Sequence, residues 1–155
     1  MIGELTARAA TLATAESLTG GRVAATLTAI PGASRCYLGG FVTYATALKQ
    51  ALVGVPEEVV EEFGVVSPEC ARAMACGARR ATGARYALST TGVAGPEQQE
   101  GKHVGLVFVG VDGPEGTRVR ELRLSGGREQ IQEGAVREAI RLLVDVLTRE
   151  EPGLG

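Results

Sequence analysis

The sequence predicts an α/β domain in which helices are layered on a mixed sheet, and three observations carry that reading. Hydrophobic periodicity runs in the order helix, strand, helix, strand, three helices, three strands, helix, the alternation expected of layered α/β architectures. The last two strand segments are joined only by the turn "DGPEG", which makes them antiparallel, so the sheet is mixed. Hydrophobic residues make up 45% of the chain but aromatics only 4%, with no Trp. Ala, Val and Leu must therefore fill the interior, which suits helices packed closely on a sheet. At 155 residues, folding buries roughly two-thirds of the surface that the unfolded chain exposes. That is enough for one domain, residues 1–155, with a frayed tail at 149–155 ending in "EPGLG".

The elements follow in order. Glu4 to Ala10 reads as a short leading helix, and Thr11 to Glu16 as a short strand rich in Ala and Thr. From Gly20 onward Val23, Leu27 and Ile30 recur at helical spacing until Pro31-Gly32 ends the run. "CYLGGFVTYA", Cys36 to Ala45, has strand composition around a glycine pair, a mark of a bulge or a close backbone approach. Pro56 begins a helix with Glu57 and Glu58 in its first turn, favourable against the helix dipole, and Gly64 stops it. Ser67-Pro68 caps the next helix, Ala71, Met74, Ala75 and Ala78 form its apolar stripe, and Gly83 ends it. Tyr86 to Pro96 starts as a strand and breaks into a glycine-rich loop. Val104 to Val111 is a continuous apolar run, a strand buried on both faces. The charges of "TRVRELRL" mark an edge strand. Arg128 to Arg149 is a long helix with Ile131, Ala135, Ala139, Leu143 and Leu147 on one face and Arg137, Arg141 and Asp145 on another.

Composition also excludes function classes. Net charge is −2 with no basic run, so nucleic-acid binding has no electrostatic basis. Cys36, Cys70 and Cys76 lack Cys-x-x-Cys spacing and stand beside a single His, so no zinc set is expected; they read as three buried thiols in a reducing compartment. No apolar signal core or membrane-length run occurs, and a cytoplasmic protein without a membrane partner is expected.

Several motifs offer chemistry. "GPEQQEGKH", Gly95 to His103, resembles a P-loop but fails it: five residues separate the glycines, His103 replaces the Ser or Thr, and a strand follows. There is no G-x-G-x-x-G sequence. In "ATAESLTGGRVAATL", Ser17 stands between a strand and a helix, either as a helix cap or as a nucleophile. His103, a lone loop His, makes a poor triad partner, so a nucleophilic Ser17 needs another base. A lysine with a lowered pKa can serve, and only Lys49 and Lys102 exist. Lys49 has apolar neighbours Ala47, Leu48, Ala51 and Leu52; it is either a surface lysine lying along a helix or a buried amine. "TTGVAGP", Thr90 to Pro96, reads as a strand-exit loop or an anion-binding one. Arg128, after Gly126-Gly127, reads as a solvated arginine or a phosphate ligand at a helix start.

Taken together, "AESLTGG", "IPGASRCYLGGFVTYATALKQALVGVP", "GVVSPECARAMACGAR" and "TTGVAGP", in this order and at these separations, resemble the CinA C-terminal domain family, whose stand-alone members are nicotinamide-nucleotide amidases of the PncC type. The resemblance runs from about Leu12 to Leu147. It implies a three-layer α/β/α sandwich, a homo-oligomer (dimer or higher), and hydrolysis of nicotinamide mononucleotide to nicotinate mononucleotide and ammonia without cofactor or metal. Carried over by motif, Ser17 is the nucleophile, Lys49 its base, and Tyr44 hydrogen-bonds in the same pocket. By the same resemblance Thr91 and Gly92 belong to the substrate loop and Arg128 takes the substrate phosphate; the position of the glycine pair beside Ser17 adds the expectation that backbone amides near Thr19, Gly20 and Gly21 hold the oxyanion. Three departures stand out. The family's glycine-rich tract after "AGP" is replaced by "EQQEG", its "K-P-V-G" reads Lys102-His103-Val104-Gly105, and Thr46 holds a position commonly Asn. Two other classes fit the same residues: a non-catalytic nucleotide-binding regulator of this family, and an interaction domain with an empty pocket. Larger family proteins carry a second, N-terminal domain, and none of its activity is expected here.

Overall fold

The computed structural model describes residues 1–150. Its elements are α1 (Ile2–Ala7), β1 (Leu12–Glu16), α2 (Arg22–Thr28), a 3-10 turn (Ala33–Arg35), β2 (Tyr37–Val42), α3 (Thr46–Val53), α4 (Glu57–Phe63), α5 (Pro68–Thr82), β3 (Tyr86–Gly92), β4 (Leu106–Gly113), β5 (Gly116–Arg123) and α6 (Arg128–Arg149). The five strands form one mixed sheet in the order β2-β1-β3-β4-β5. β1 pairs parallel with both β2 and β3, and β3–β4 and β4–β5 are antiparallel. The fold is therefore the α/β class read from the periodicity.

Two cores flank the sheet and make it the middle layer. One joins Leu5 of α1, Val23 and Leu27 of α2 and the α6 stripe to Leu12, Leu88, Val107 and Val109. The other joins Val53, Cys70, Ala71, Met74 and Ala78 to Ala13, Ala15, Ala87 and Phe108. Small residues allow the close approach: a Cβ added at Gly77 of α5 would run into the Val53 carbonyl oxygen at the end of α3. The α5 boundaries follow local chemistry. Ser67 Oγ accepts the Cys70 N–H at 3.1 Å, Pro68 opens the first turn, and Gly83 closes the helix at φ 71°.

Some boundaries differ from the sequence reading, each for a local reason. α1 starts at Ile2 and stops at Ala7, with Ala9 at φ 49° breaking the helix. α2 stops at Thr28, so Ile30 lies outside it and is 40% exposed. β2 ends at Val42, opposite the last residue of β1; Thr43 N–H makes the final ladder bond to Glu16 O, after which the chain enters α3 at Thr46. β4 begins at Leu106, since Val104 and Gly105 still belong to the connection from β3. Cys36 and Cys70 are buried but Cys76 is only half-buried, its thiol 3.2 Å from Thr117 Oγ1. Arg149 of the expected frayed tail closes α6 and Glu150 caps it; residues 151–155 lie outside the described residues. Among the described residues, no helix is long and apolar enough to cross a membrane.

The two sheet edges contrast. β5 carries Arg118, Arg120, Glu121 and Arg123. β2 exposes Leu38 (54%) and Val42 (48%), and no charged residue occurs from Cys36 to Leu48.

Candidate active site

The site is built where β1 stops and its parallel neighbour β3 runs on to Gly92. Ser17 N–H donates to Thr90 O at 3.0 Å, continuing the β1–β3 ladder one step beyond Glu16. Leu18 then turns away, and its carbonyl accepts Gln132 Nε2 of α6 at 2.8 Å. Ser17 does not cap α2. That work falls to Glu16, a carboxylate only 1% exposed. Its oxygens accept the N–H groups of Val23 (2.7 Å) and Ala24 (3.1 Å) and the Thr19 hydroxyl (2.6 Å). An anion at the α2 N-terminus answers both the orphan amides and the helix dipole. The Ser17 hydroxyl is thereby left free for other work.

Its partner is Lys49. The side chain leaves the first turns of α3 and points back toward the helix N-terminus, the usual direction for a long helical side chain. It is 1% exposed, so it is a buried amine rather than a surface lysine. Nζ lies 2.9 Å from Ser17 Oγ, 2.8 Å from Thr43 O and 3.2 Å from Tyr44 O. An ammonium has three hydrogens for these three acceptors. A neutral amine has two hydrogens and a lone pair. The carbonyls can only accept, so they take the two hydrogens and the lone pair faces the serine O–H. Burial lowers the Lys49 pKa from the ordinary 10.5, and the Cys70 thiol, once it ionises, and Glu100 pull the other way. Burial also pushes the Cys70 thiol up to about 11, which keeps it protonated and inert at neutral pH. Among the described residues the buried Thr43 hydroxyl has no hydrogen-bond partner; the residue serves Lys49 through its backbone.

A cavity of about 370 Å³ opens in front of Ser17. Leu18, Val65 and Val66 supply apolar wall, Thr91 and Gly92 come from the end of β3, and Tyr44 and Arg128 stand at the rim with the loop Val93 to Gln99. Thr91 Oγ1 donates to Val65 O at 2.6 Å and so ties β3 to the α4–α5 connection. Val93 gives its N–H to Leu106 O on the β4 side. By strand alternation the Gly92 N–H then faces the β1 side, where β1 has ended and Ser17 sits.

Other expected positions fall differently. Thr19, Gly20 and Gly21 do not line the cavity. The Thr19 hydroxyl is buried between Glu16 and Thr90 Oγ1, and Gly20 N–H is spent on Ser17 O. Gly20 and Gly21, at φ 55° and 98°, turn the chain from β1 into α2, a conformation that favours glycine. Tyr44 touches neither Ser17 nor Lys49 through its phenol. That group is 58% exposed and accepts Arg128 Nη2 at 2.9 Å, while the Tyr44 carbonyl is what meets Lys49. Arg128, first residue of α6, also donates Nη1 to Gly95 O at 2.5 Å, and two of its five N–H groups thus orient the guanidinium at the rim. His103 is exposed and pairs with Gln98. The sequence reading missed Glu16, Gln132 and the Thr43 carbonyl. An acid at a strand end immediately before the serine was the one available signal for Glu16.

The model of the CinA C-terminal domain family matches residues 1–147. A CinA-like protein of Frankia casuarinae is 49% identical over 143 residues, 92% of this chain and 33% of the relative. A putative competence-damage inducible protein of Halalkalibacterium halodurans is 44% identical over 153 residues, 96% of this chain and 36% of the relative. The chain spans about a third of the length of these curated relatives. Among solved structures, the competence/damage inducible protein CihA of Agrobacterium tumefaciens superposes with a TM-score of 0.90 at 37% identity, over 95% of this chain and 90% of that one. A CinA superfamily protein of Klebsiella pneumoniae superposes with a TM-score of 0.92 at 32% identity, over 95% and 92%.

Proposed function

The chain belongs to the CinA C-terminal domain family, and from that membership and the Ser17–Lys49 contact we propose that it is an amidohydrolase converting nicotinamide mononucleotide to nicotinate mononucleotide and ammonia, a step of pyridine-nucleotide salvage. The observation that carries the reading is the buried amine 2.9 Å from the serine hydroxyl, with two carbonyls holding its other hydrogens. A burial-lowered amine populates the base form nearer neutral pH than a solvated lysine does.

The steps balance as an acyl transfer. Ser17 Oγ bonds to the carboxamide carbon while its proton passes to Lys49 Nζ. The Gly92 N–H, facing the Ser17 side, is the donor we assign to the oxyanion; one such donor is worth about 3 to 4 kcal/mol in the transition state. Collapse breaks the C–N bond, and Lys49 returns the proton to the leaving nitrogen, which departs as ammonia. Water then adds to the acyl carbon while Lys49 takes its proton, collapse breaks the C–Oγ bond, Lys49 returns the proton to Ser17 Oγ, and the acid product leaves as its carboxylate after losing its own proton to solvent. Arg128 at the rim takes the phosphate, and Leu18, Val65 and Val66 flank the ring.

Ammonia release measured across a small panel of pyridine amides tests the reading, with intact-mass spectra recorded during turnover. Nicotinamide mononucleotide is expected to release ammonia and to leave an acyl mass on the protein that Ser17→Ala lacks. Silence across the whole panel refutes the amidase reading, and an undiminished rate in Ser17→Ala refutes its nucleophile.

A further inference from the structure

The connection between β3 and β4 crosses the cavity as a strap. Its first part, Val93 to Gln99, forms one wall of the cavity. The strap then turns tightly at Gln99–Lys102, whose backbones exchange hydrogen bonds of 3.4 and 2.8 Å. The two residues inside the turn, Glu100 and Gly101, both have positive φ, 53° and 70°, as a type I′ turn requires. Glycine adopts that backbone freely, but glutamate is strained in it.

The strained residue makes a specific contact. Glu100 Oε1 accepts the Val65 N–H and Oε2 accepts the Val66 N–H, each at 3.1 Å. Two successive backbone amides thus hold the two oxygens of one carboxylate, a charge-assisted pairing. Val65 and Val66 belong to the cavity's other wall, on the α4–α5 connection. One side chain therefore ties the two walls to each other. Gly64 makes room for it: a Cβ there would lie 2.5 Å from Glu100 Oε2. Arg128, bonded to Gly95 O, holds the other end of the strap. Glu100 itself is exposed and does not line the cavity, so it acts through the walls and touches no ligand.

We infer that Glu100 is a clasp that determines which amides the site admits, by pinning the strap so that the cavity stays a narrow slot. About 370 Å³ lies near the lower end of ligand cavities. Such a slot accepts one mononucleotide and refuses a dinucleotide that carries the same carboxamide. The substrate named here rests on the amidase reading, whereas the clasp rests on the geometry alone. It arises within "EQQEG", where this chain departs from the glycine-rich tract of the family it resembles.

Two variants test it. Glu100→Ala removes the carboxylate, and Glu100→Gly removes it while relieving the left-handed backbone, so the turn survives in at least one. In both, hydrogen exchange at the Val65 and Val66 amides is expected to speed up at least tenfold. With nicotinamide mononucleotide, at a pH above the Lys49 limb where loss of the Glu100 charge no longer changes the protonation of the amine, KM rises and kcat stays within about twofold. The kcat/KM preference for the mononucleotide over nicotinamide adenine dinucleotide falls at least tenfold, a change that a merely stabilising residue would not produce. Unchanged exchange overturns the clasp, and faster exchange with an unchanged preference overturns its role in selection. If the wild-type chain releases no ammonia from either nucleotide, the amidase reading falls. The same tenfold criterion, applied to their calorimetric binding ratio, then decides the clasp.

Discussion

Replacing Lys49 with Met keeps the length and apolar stem of the side chain and removes only the amine. Ser17 Oγ has no hydrogen-bond partner other than Lys49 Nζ among the described residues, so no second base is at hand. General-base catalysis is worth about 10² to 10⁴ in rate, or about 3 to 5 kcal/mol of barrier. The isolation of the hydroxyl places Lys49→Met toward the upper end of that range. The assay is ammonia release from nicotinamide mononucleotide across the pH range, with thermal melts confirming the fold. Wild-type activity rises with pH as the ammonium loses its proton, with a midpoint below the ordinary 10.5 because burial disfavours the charge. That limb is absent from Lys49→Met. Stability carries the same sign. Between the lowered folded pKa and the unfolded 10.5, the unfolded chain holds the extra proton, so wild-type stability rises with pH in that window. A Lys49→Met protein that retains a rate within tenfold of wild type, or keeps the wild-type pH limb, refutes the assignment.

Two further substitutions probe the neighbours. Arg128→Ala removes a charged donor from the rim; such hydrogen bonds are worth about 1.5 to 3 kcal/mol. KM for the mononucleotide should therefore rise about 10- to 100-fold with little change in kcat, whereas the riboside lacking the phosphate should show only the smaller effect of freeing the strap at Gly95; equal effects on both remove the phosphate role. Thr43→Val deletes a buried hydroxyl that has no partner among the described residues while leaving the carbonyl that Lys49 uses. Stability should rise by about 1 kcal/mol, read as a Tm increase of about 2–4 °C, with ammonia release retained; a lower Tm contradicts the account.

Local signals were legible wherever neighbouring residues alone decide the outcome. Ser67-Pro68 and Gly83 bounded α5 because a hydroxyl cap, a fixed φ and a left-handed glycine act within one turn. The α6 stripe and the apolar run of β4 followed from periodicity, and the charges of β5 from its place at the sheet edge. The cap of α2 fell to Glu16 rather than to Ser17, and only the acid's place at the end of a strand hinted at it. The Gly20-Gly21 turn lays the helix start over the end of β1, and there the Glu16 carboxylate reaches the amides first. Nor did Thr19, Gly20 and Gly21 reveal themselves as turn-formers away from the cavity, since which amides face it depends on where β1 ends beside β3. Glu100 lies in a loop without periodicity, so nothing local pointed to Val65 and Val66.

By itself, the order of residues determined the elements, the α/β class and a short roster of reactive groups: one candidate serine and two lysines. The tertiary structure decided that positions 17, 43, 49, 90 and 92 meet, and that the amine at 49 lies in the low-dielectric interior. The physical reason is range. Backbone preferences and caps act over a few residues, whereas the proton affinity of an amine depends on everything that excludes water from it, and only the folded chain supplies that surrounding.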